Sequence, residues 1–174
     1  MTRLVASIAL SAALVAPLAP AHAERATVDL SLGDVQLTLL MQRVDLPPEH
    51  RAAAFVQRLM QDWSRPGRDG ARRLAGYYDA SVEYYGDRYR HAQVLDDRYA
   101  FAERWPQRRY DIDPDSVDVS CFDTCYVFAT YTFTAQNPST GAYSAGRSTL
   151  ELVLVADGDG FVITAENGHV TARY

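Results

Sequence analysis

The sequence contains no lysine, and all 17 of its basic residues are arginines. The absence of lysine favours the codon usage of a GC-rich genome, and the alternative is that arginine is used for bidentate contacts with anions. The chain is also slightly acidic, with a formal net charge of −5. An acidic domain with scattered arginines is a poor electrostatic match for nucleic acid, so we exclude nucleic-acid binding.

Several motifs that identify chemistry are missing. The sequence has no HExxH, GxSxG, P-loop or GxGxxG, and its four histidines do not have the spacing of metal ligands. We therefore expect no metal site and no cofactor. Beyond the N-terminus, no apolar run is long enough to cross a bilayer.

The first 23 residues have the pattern of a secretory signal peptide. Arg3 precedes an apolar run that is rich in small residues and ends in an A-x-A cleavage site at Ala21–Ala23. Pro17 and Pro20 interrupt this run, which argues against a stable membrane anchor. We predict cleavage after Ala23 and a periplasmic or secreted protein. The remaining 151 residues, with a formal charge of −6, have the size of one domain.

The two cysteines, Cys121 and Cys125, flank the sequence FDT between two runs with strand character. A zinc site of this type needs four ligands, and CxxxC lacks the spacing of a CxxC redox motif. In an exported protein, the pattern predicts a disulfide that closes a tight hairpin. Because the loop is short, its stabilising effect is small, about 2 kcal/mol.

Helical periodicity is confined to the first part of the chain. Residues 24–47 read as an N-terminal extension or linker, with a β-hairpin around Gly33 as the alternative. An apolar stripe with helical spacing predicts a helix over 48–63, and a short helix is expected near 71–78. A third helix is predicted over 91–105, where Val94, Arg98, Phe101 and Trp105 recur one turn apart, and it is ended by Pro106.

The stretch SVEYYG between these helices alternates as a strand. It places Val82 and Tyr84 on one face, and Glu83 and Tyr85 on the other. At most one of the two tyrosines can therefore enter a cavity.

The rest of the chain has the alternation of β-strands. The predicted strands lie near 108–113 and 115–121, over 126–135, around Leu150, Leu152 and Leu154, and around Phe161, Ile163 and Ala165. Helices followed by a meandering sheet predict an α+β fold, in which N-terminal helices pack in a curved antiparallel sheet. Such a sheet forms a cone with a cavity at its open end.

The stretch from Tyr77 to Tyr110 resembles the nuclear transport factor 2-like superfamily, which includes ketosteroid isomerase, and in particular its small exported bacterial members. The matching residues are Tyr84-Tyr85-Gly86, Phe101, Arg104-Trp105-Pro106, Arg109-Tyr110, Val119 and Cys121, together with the final strand GFVITAENGHV. The resemblance implies a cystatin-like cone over 48–174. The relatives tend to have a lysine where this chain has Arg98, so a role that needs a titratable amine is not expected.

The same resemblance directs the search for a site. Enzymes of the superfamily place an aspartate or histidine inside the cone, with a tyrosine that donates to a developing oxyanion. The acids Asp87, Asp96 and Asp97 and the imidazole of His91 lie near a helix start, where the helix dipole already explains the acids. Glu166 and His169 are expected to alternate to opposite faces of the last strand, so they do not form a dyad. Glu83 either faces solvent or lines the cavity.

The segment RWPQRRY, residues 104–110, has two interpretations. In the first, Trp105 ends the apolar stripe of the third helix. Arg104 and Arg109 then hold the corner at Trp105-Pro106 against the sheet by binding carboxylates or carbonyls. In the second, Arg109 and Tyr110 line the cavity and bind an anionic or aromatic ligand. We favour the first.

Two functions remain. The absence of a clear acid–base pair and the eleven tyrosines favour an exported, non-catalytic domain that binds a small apolar or aromatic ligand, or a protein partner. The alternative is a small cofactor-free isomerase, dehydratase or cyclase with a cavity acid or base and a tyrosine. The candidate ligand-binding residues are Tyr84, Tyr85, Trp105, Arg109, Tyr110 and Glu166. As the resemblance implies, a homodimer could form through the sheet face that carries Phe128, Thr130, Thr132 and Thr134.

Overall fold

The computed structural model describes the backbone of residues 25–32 and 35–42 and the complete residues 46–174. The predicted signal peptide lies outside the described residues. β1 (Arg25–Leu32) and β2 (Val35–Gln42) pair antiparallel, which is the hairpin alternative for this part of the chain. The chain divides into two compact units, and the second unit comprises residues 46–174.

Three α-helices precede most of the sheet in the second unit. α1 (Pro48–Trp63) has a proline in its first turn and buries one apolar stripe, as predicted. α3 (His91–Arg104) ends one residue before the predicted boundary.

The short helix α2 (Gly67–Arg73) starts earlier than predicted and continues into a 3₁₀ turn, Leu74–Gly76. The sequence did not predict the start of α2 because Gly67 and Gly70 lower the helix propensity of this segment. Gly70 is required by packing, since a Cβ atom there would lie 2.8 Å from the Arg65 carbonyl oxygen.

Eight strands of the second unit form one curved sheet. They are β3 (Tyr78–Tyr84), β4 (Asp87–Arg90), β5 (Gln107–Ile112), β6 (Asp118–Cys121), β7 (Cys125–Asn137), β8 (Ala142–Asp157), β9 (Gly160–Asn167) and β10 (Val170–Arg173). The order is β4-β3-β9-β8-β7-β5, with β6 also paired to β7 and β10 to β8. The predicted α+β class with helices packed on a curved sheet is confirmed.

One pairing corrects the expectation of a purely antiparallel sheet. β3 runs parallel to β9, with Tyr84 opposite Glu166, whereas the other pairings are antiparallel. Parallel neighbours need a crossover connection, which α3 and the long meander provide. Local sequence patterns do not report such a pairing, because its partners lie about 80 residues apart along the chain.

The core lies between the helices and the inner face of the sheet. On β7, Val127 and Ala129 are buried, while Phe128 and Thr132 are exposed, as the alternation predicts. On β8, the predicted row of Leu150, Leu152 and Leu154 is buried. This inner face carries the residues of the site described below.

A β-bulge at Thr164 decides which side chains of β9 face the core. Leu154 lies opposite Ile163, but the preceding residue, Val153, lies opposite Ala165, so Thr164 is the extra residue. The inner face therefore continues from Ile163 to Glu166, three positions later. Regular alternation after Phe161 and Ile163 would bury Ala165, but Ala165 is only partly buried, and Glu166 lies on the inner face with 3% exposure.

Candidate functional site

A cavity of about 460 Å³ opens at one end of the sheet, within the size range of small-molecule sites. We call it the cone cavity. Its aromatic walls are formed by Trp63, Tyr85, Phe101, Trp105, Tyr110, Tyr131 and Phe133. A second space of about 30 Å³, the inner cavity, shares Trp63, Tyr85, Arg98 and Tyr131 with it and is large enough for one water molecule.

An ion pair between Arg98 of α3 and Glu166 of β9 lies at the inner cavity. The Arg98 Nη2 donates to Glu166 Oε1, and the two side chains are 11% and 3% exposed. Tyr78 bridges the pair: its hydroxyl donates to Glu166 Oε2 at 2.6 Å and accepts from Arg98 Nη2 at 2.7 Å. Both oxygens of the carboxylate are therefore occupied by donors from the protein.

Aromatic rings surround the Arg98 guanidinium. Its central carbon lies 5.0 Å from the ring centre of Trp63 and 5.3 Å from that of Tyr84, within the range of cation–π contacts. Burial acts to lower the pKa of Arg98, but the Glu166 carboxylate and the neighbouring phenols outweigh burial and raise it well above its usual value. Arg98 is therefore a permanent cation in the interior.

The tyrosines of the site are uncharged near neutral pH. Burial is the main cause that raises the pKa of Tyr78, Tyr84, Tyr85, Tyr110 and Tyr131. Burial and the hydrogen bond to Asp62 raise the pKa of Tyr77 to about 12. None of these phenols can supply a tyrosinate base near neutral pH.

These phenols predict a loss of stability in alkali. An unfolded tyrosine has a pKa of about 10, and its folded pKa is higher here, so the stabilisation is complete below pH 10 and is lost as the pH rises toward the folded pKa. The two buried tyrosines, Tyr78 and Tyr84, are each expected to remove about 1.4 kcal/mol of unfolding free energy per pH unit above about pH 10. Urea unfolding from about pH 8 to about pH 11, with phenolate absorbance recorded in parallel, measures this effect. If all eleven tyrosines ionise near pH 10 while near-ultraviolet circular dichroism stays native, the prediction is wrong.

Tyr84 and Tyr85 approach the ion pair from different positions. Tyr85 has a φ of 52°, so it leaves the strand at the turn into β4 instead of continuing the alternation. Its hydroxyl lies 3.4 Å from Glu166 Oε1, and its ring lines the cone cavity. Tyr84 is buried beneath the guanidinium of Arg98 and donates to Asp97 at 2.8 Å.

Only some residues of the segment 104–110 line the cone cavity. Trp105 and Tyr110 line the cone cavity, whereas Arg109 is exposed and forms an ion pair with Asp111 at 2.7 Å, outside the cavity lining. Neither predicted role of Arg109, in holding the corner or in binding ligand, fits this placement.

The residue that holds the corner is Arg108, which the sequence analysis missed. Its guanidinium donates to the carbonyls of Gly67 at 3.2 Å and Trp105 at 3.1 Å, and lies 4.1 Å from the ring centre of Trp63. The signal was present in the alternation of β5, which places Arg108 and Tyr110 on the same face and Arg109 on the other.

Comparison with known proteins supports the fold. No protein-family profile and no curated protein matches the sequence. Solved structures do match: a candidate dehydratase of the NTF2-like family from Streptomyces avermitilis is 12% identical, with a TM-score of 0.59, over 68% of this chain and 93% of that one. The chain has the NTF2-like, cystatin-like fold.

Other solved structures with this fold include both an enzyme and an uncharacterised protein. A type 2 hexachlorocyclohexane dehydrochlorinase (LinA) is 11% identical, with a TM-score of 0.58, over 72% of this chain and 90% of that one. An uncharacterised cystatin-like protein from Caulobacter vibrioides is 12% identical, with a TM-score of 0.57, over 70% and 88%. Enzymes and uncharacterised proteins share the fold, so the fold alone does not assign an activity.

The remaining candidate acids and histidines lie away from the ion pair. His91 Nε2 lies 2.8 Å from the Ala75 carbonyl oxygen, while Asp87, Asp96 and Glu83 are exposed. His169 lies beyond the end of β9, so strand alternation does not apply to it. It lines the cone cavity, with its Nδ1 3.1 Å from Thr149 Oγ1.

Two further sequence predictions concern covalent and metal sites. The Cys121 and Cys125 sulfurs are 2.06 Å apart, at disulfide distance, and the two residues face each other across the β6–β7 hairpin. Among the residues that the structure describes, no group of three or more histidines, cysteines and acids could hold a metal ion. Within the same residues, no helix is long and apolar enough to span a membrane.

Proposed function

We propose that this chain is an exported, non-catalytic NTF2-like domain that binds a small apolar or aromatic ligand in the cone cavity. The observation that carries the proposal is the combination of aromatic walls with a carboxylate that is already occupied. Glu166 is the only acid that lines the cone cavity or the inner cavity in the described part of the chain. Arg98 and Tyr78 bind both of its oxygens.

This arrangement favours binding over catalysis. A general base accepts a proton from the substrate within hydrogen-bond reach and loses its own negative charge in doing so. If Glu166 took up that proton, Arg98 would become a buried cation without its counter-charge. The ion pair therefore acts as a fixed polar group next to a cavity with aromatic walls.

The alternative is a cofactor-free isomerase, dehydratase or cyclase. It is supported by the nearness of two tyrosine hydroxyls to Glu166, at 2.6 Å from Tyr78 and 3.4 Å from Tyr85. The candidate dehydratase and the dehydrochlorinase among the solved neighbours give it weight as well. In such an enzyme Glu166 would take the proton and Tyr85 would donate to the developing oxyanion.

Export rests on the N-terminal sequence pattern, and the cysteine pair at disulfide distance is consistent with an oxidising compartment. A protein partner on the outer sheet face also stays a prediction. Phe128 is 41% exposed there, and Thr132 and Thr134 are exposed beside it.

The binding function is tested with N-phenyl-1-naphthylamine, a neutral aromatic probe whose fluorescence rises in apolar surroundings. We expect saturable binding that Trp105→Ala weakens about tenfold, because that ring forms part of the cavity wall. Phe128→Ala is the matched control, since it removes an exposed aromatic ring from the opposite sheet face. A wild-type protein that does not bind the probe, or a loss confined to Phe128→Ala, would refute binding in the cone cavity.

A further inference from the structure

We propose that the ligand of the cone cavity is an aromatic anion, such as an aromatic carboxylate, whose charge is bound by Arg104 and Arg173. This inference rests on the proposed binding function and specifies the class of ligand. It comes from the distribution of charge around the cavity, which differs from that of the whole chain.

The cone cavity is lined by cationic side chains and by no acid of its own. Arg98, Arg104 and Arg173 line it, together with His169, while aspartate and glutamate are absent from its lining among the described residues. The whole chain has a net charge of −5. An excess of cations at one cavity of an acidic protein attracts anions and repels organic cations.

The three arginines differ in how far their charge is already balanced. Arg98 is paired with Glu166 and is therefore not available to a ligand as an uncompensated cation. Arg104 and Arg173 form no ion pair with any described residue. The acid next to Arg104 in the sequence, Glu103, is paired with Arg68.

The contacts of Arg104 and Arg173 with the described residues leave most of their guanidinium donors unpaired. The Arg104 carbonyl accepts a hydrogen bond from Asn137 Nδ2 at 3.0 Å, which fixes the end of α3 and leaves the guanidinium unengaged by the described residues. Arg173 Nη1 donates to Ser144 Oγ at 2.9 Å, and Ser144 also lines the cavity. A guanidinium has five N–H donors, so most of those of Arg173 remain for an anion.

The outer face of the sheet has the opposite charge. A groove of about 540 Å³ on that face is lined by four acids and by no arginine or histidine among the described residues; the acids are Glu83, Asp118, Glu151 and Glu166. An anion therefore favours the cone cavity over this groove. The aromatic walls of the cone cavity then select an anion that carries an aromatic ring over an inorganic one.

The test compares two probes that differ by one charged group: neutral N-phenyl-1-naphthylamine and its sulfonate, 1-anilinonaphthalene-8-sulfonate. We expect the sulfonate to bind the folded wild-type protein about tenfold more tightly, as a charge-assisted hydrogen bond does relative to a neutral contact. Raising the salt from about 0.05 M to about 0.5 M should weaken the sulfonate alone. Arg104→Gln and Arg173→Gln should each remove much of the preference, and Arg104→Lys should keep part of it.

Arg109→Gln is the matched control, because it makes the same charge change outside the cavity lining and should leave both affinities unchanged. If the two probes bind equally in the wild type, or if Arg109→Gln reduces the preference as much as Arg104→Gln, the anion inference is wrong while aromatic binding stands. If neither probe binds, the proposed binding function itself fails. Urea unfolding of the variants, whose altered side chains are exposed, checks that the fold is intact.

Discussion

The variant Glu166→Gln is expected to lower the free energy of unfolding by about 3–5 kcal/mol. The substitution keeps the size of the side chain and removes its charge, so the Arg98 guanidinium becomes a buried cation without a carboxylate. Arg98 cannot avoid this cost by losing its proton and becoming neutral, since the pKa of a guanidinium lies above about 12. Urea unfolding with the disulfide intact measures the loss.

A double variant distinguishes the effect of the two charges on stability from the effect of the volume that their side chains fill. In Arg98→Met/Glu166→Leu both charges are replaced by apolar side chains, and we expect most of the lost stability to return, because the desolvation cost of both ions disappears with their attraction. Arg98→Met alone should also lower the stability, but by less than Glu166→Gln, because a buried carboxylate can take up a proton whereas the guanidinium cannot release one. Losses that simply add in the double variant would show that the two side chains do not act as a pair.

An exposed ion pair of the same chemical type provides the control. Arg109 and Asp111 are 73% and 52% exposed, and their atoms approach to 2.7 Å. Asp111→Asn is expected to change the free energy of unfolding by less than about 1 kcal/mol, because solvent screens the charges and already hydrates them. A cost for Asp111→Asn equal to that for Glu166→Gln would contradict the role of burial.

Sequence periodicity predicted the parts of the fold that depend on neighbouring residues. The apolar stripes of α1 and α3 and the alternation of β7 and β8 follow from local spacing, and the structure confirms them. The same stripe placed Arg98 on the buried face of α3, one turn from Val94 and Phe101. What it did not supply was the partner, which lies 68 residues further along the chain.

The site depended on two departures from regular strands that periodicity does not report. The bulge at Thr164 moves Glu166 to the inner face, and the positive φ of Tyr85 turns its ring toward the cavity. The bulge arises in the pairing of β8 with β9, whereas the positive φ of Tyr85 belongs to the tight turn that Tyr85 and Gly86 form between β3 and β4. The resemblance to the superfamily predicted the cone but contained no information on either departure.

Arg108→Met is expected to lower the free energy of unfolding by roughly 2–3 kcal/mol, whereas Arg109→Met should change it by less than about 0.5 kcal/mol. Arg108 and Arg109 are both arginines, but their side chains lie on opposite faces of β5. The Arg108 side chain is buried against Trp63 and donates to two backbone carbonyls, and burial lowers its pKa. Removing it leaves the carbonyls of Gly67 and Trp105 without these donors.

The same variant should also weaken the binding of N-phenyl-1-naphthylamine, because Arg108 binds the Trp105 carbonyl and packs on the ring of Trp63, and both tryptophans line the cavity. Arg108→Lys is the informative intermediate: it retains the charge but loses the planar fork that reaches two carbonyls at once. We expect it to recover part of the stability and less of the binding. If Arg109→Met proves the more damaging of the two in urea unfolding, the assignment of the corner to Arg108 is wrong.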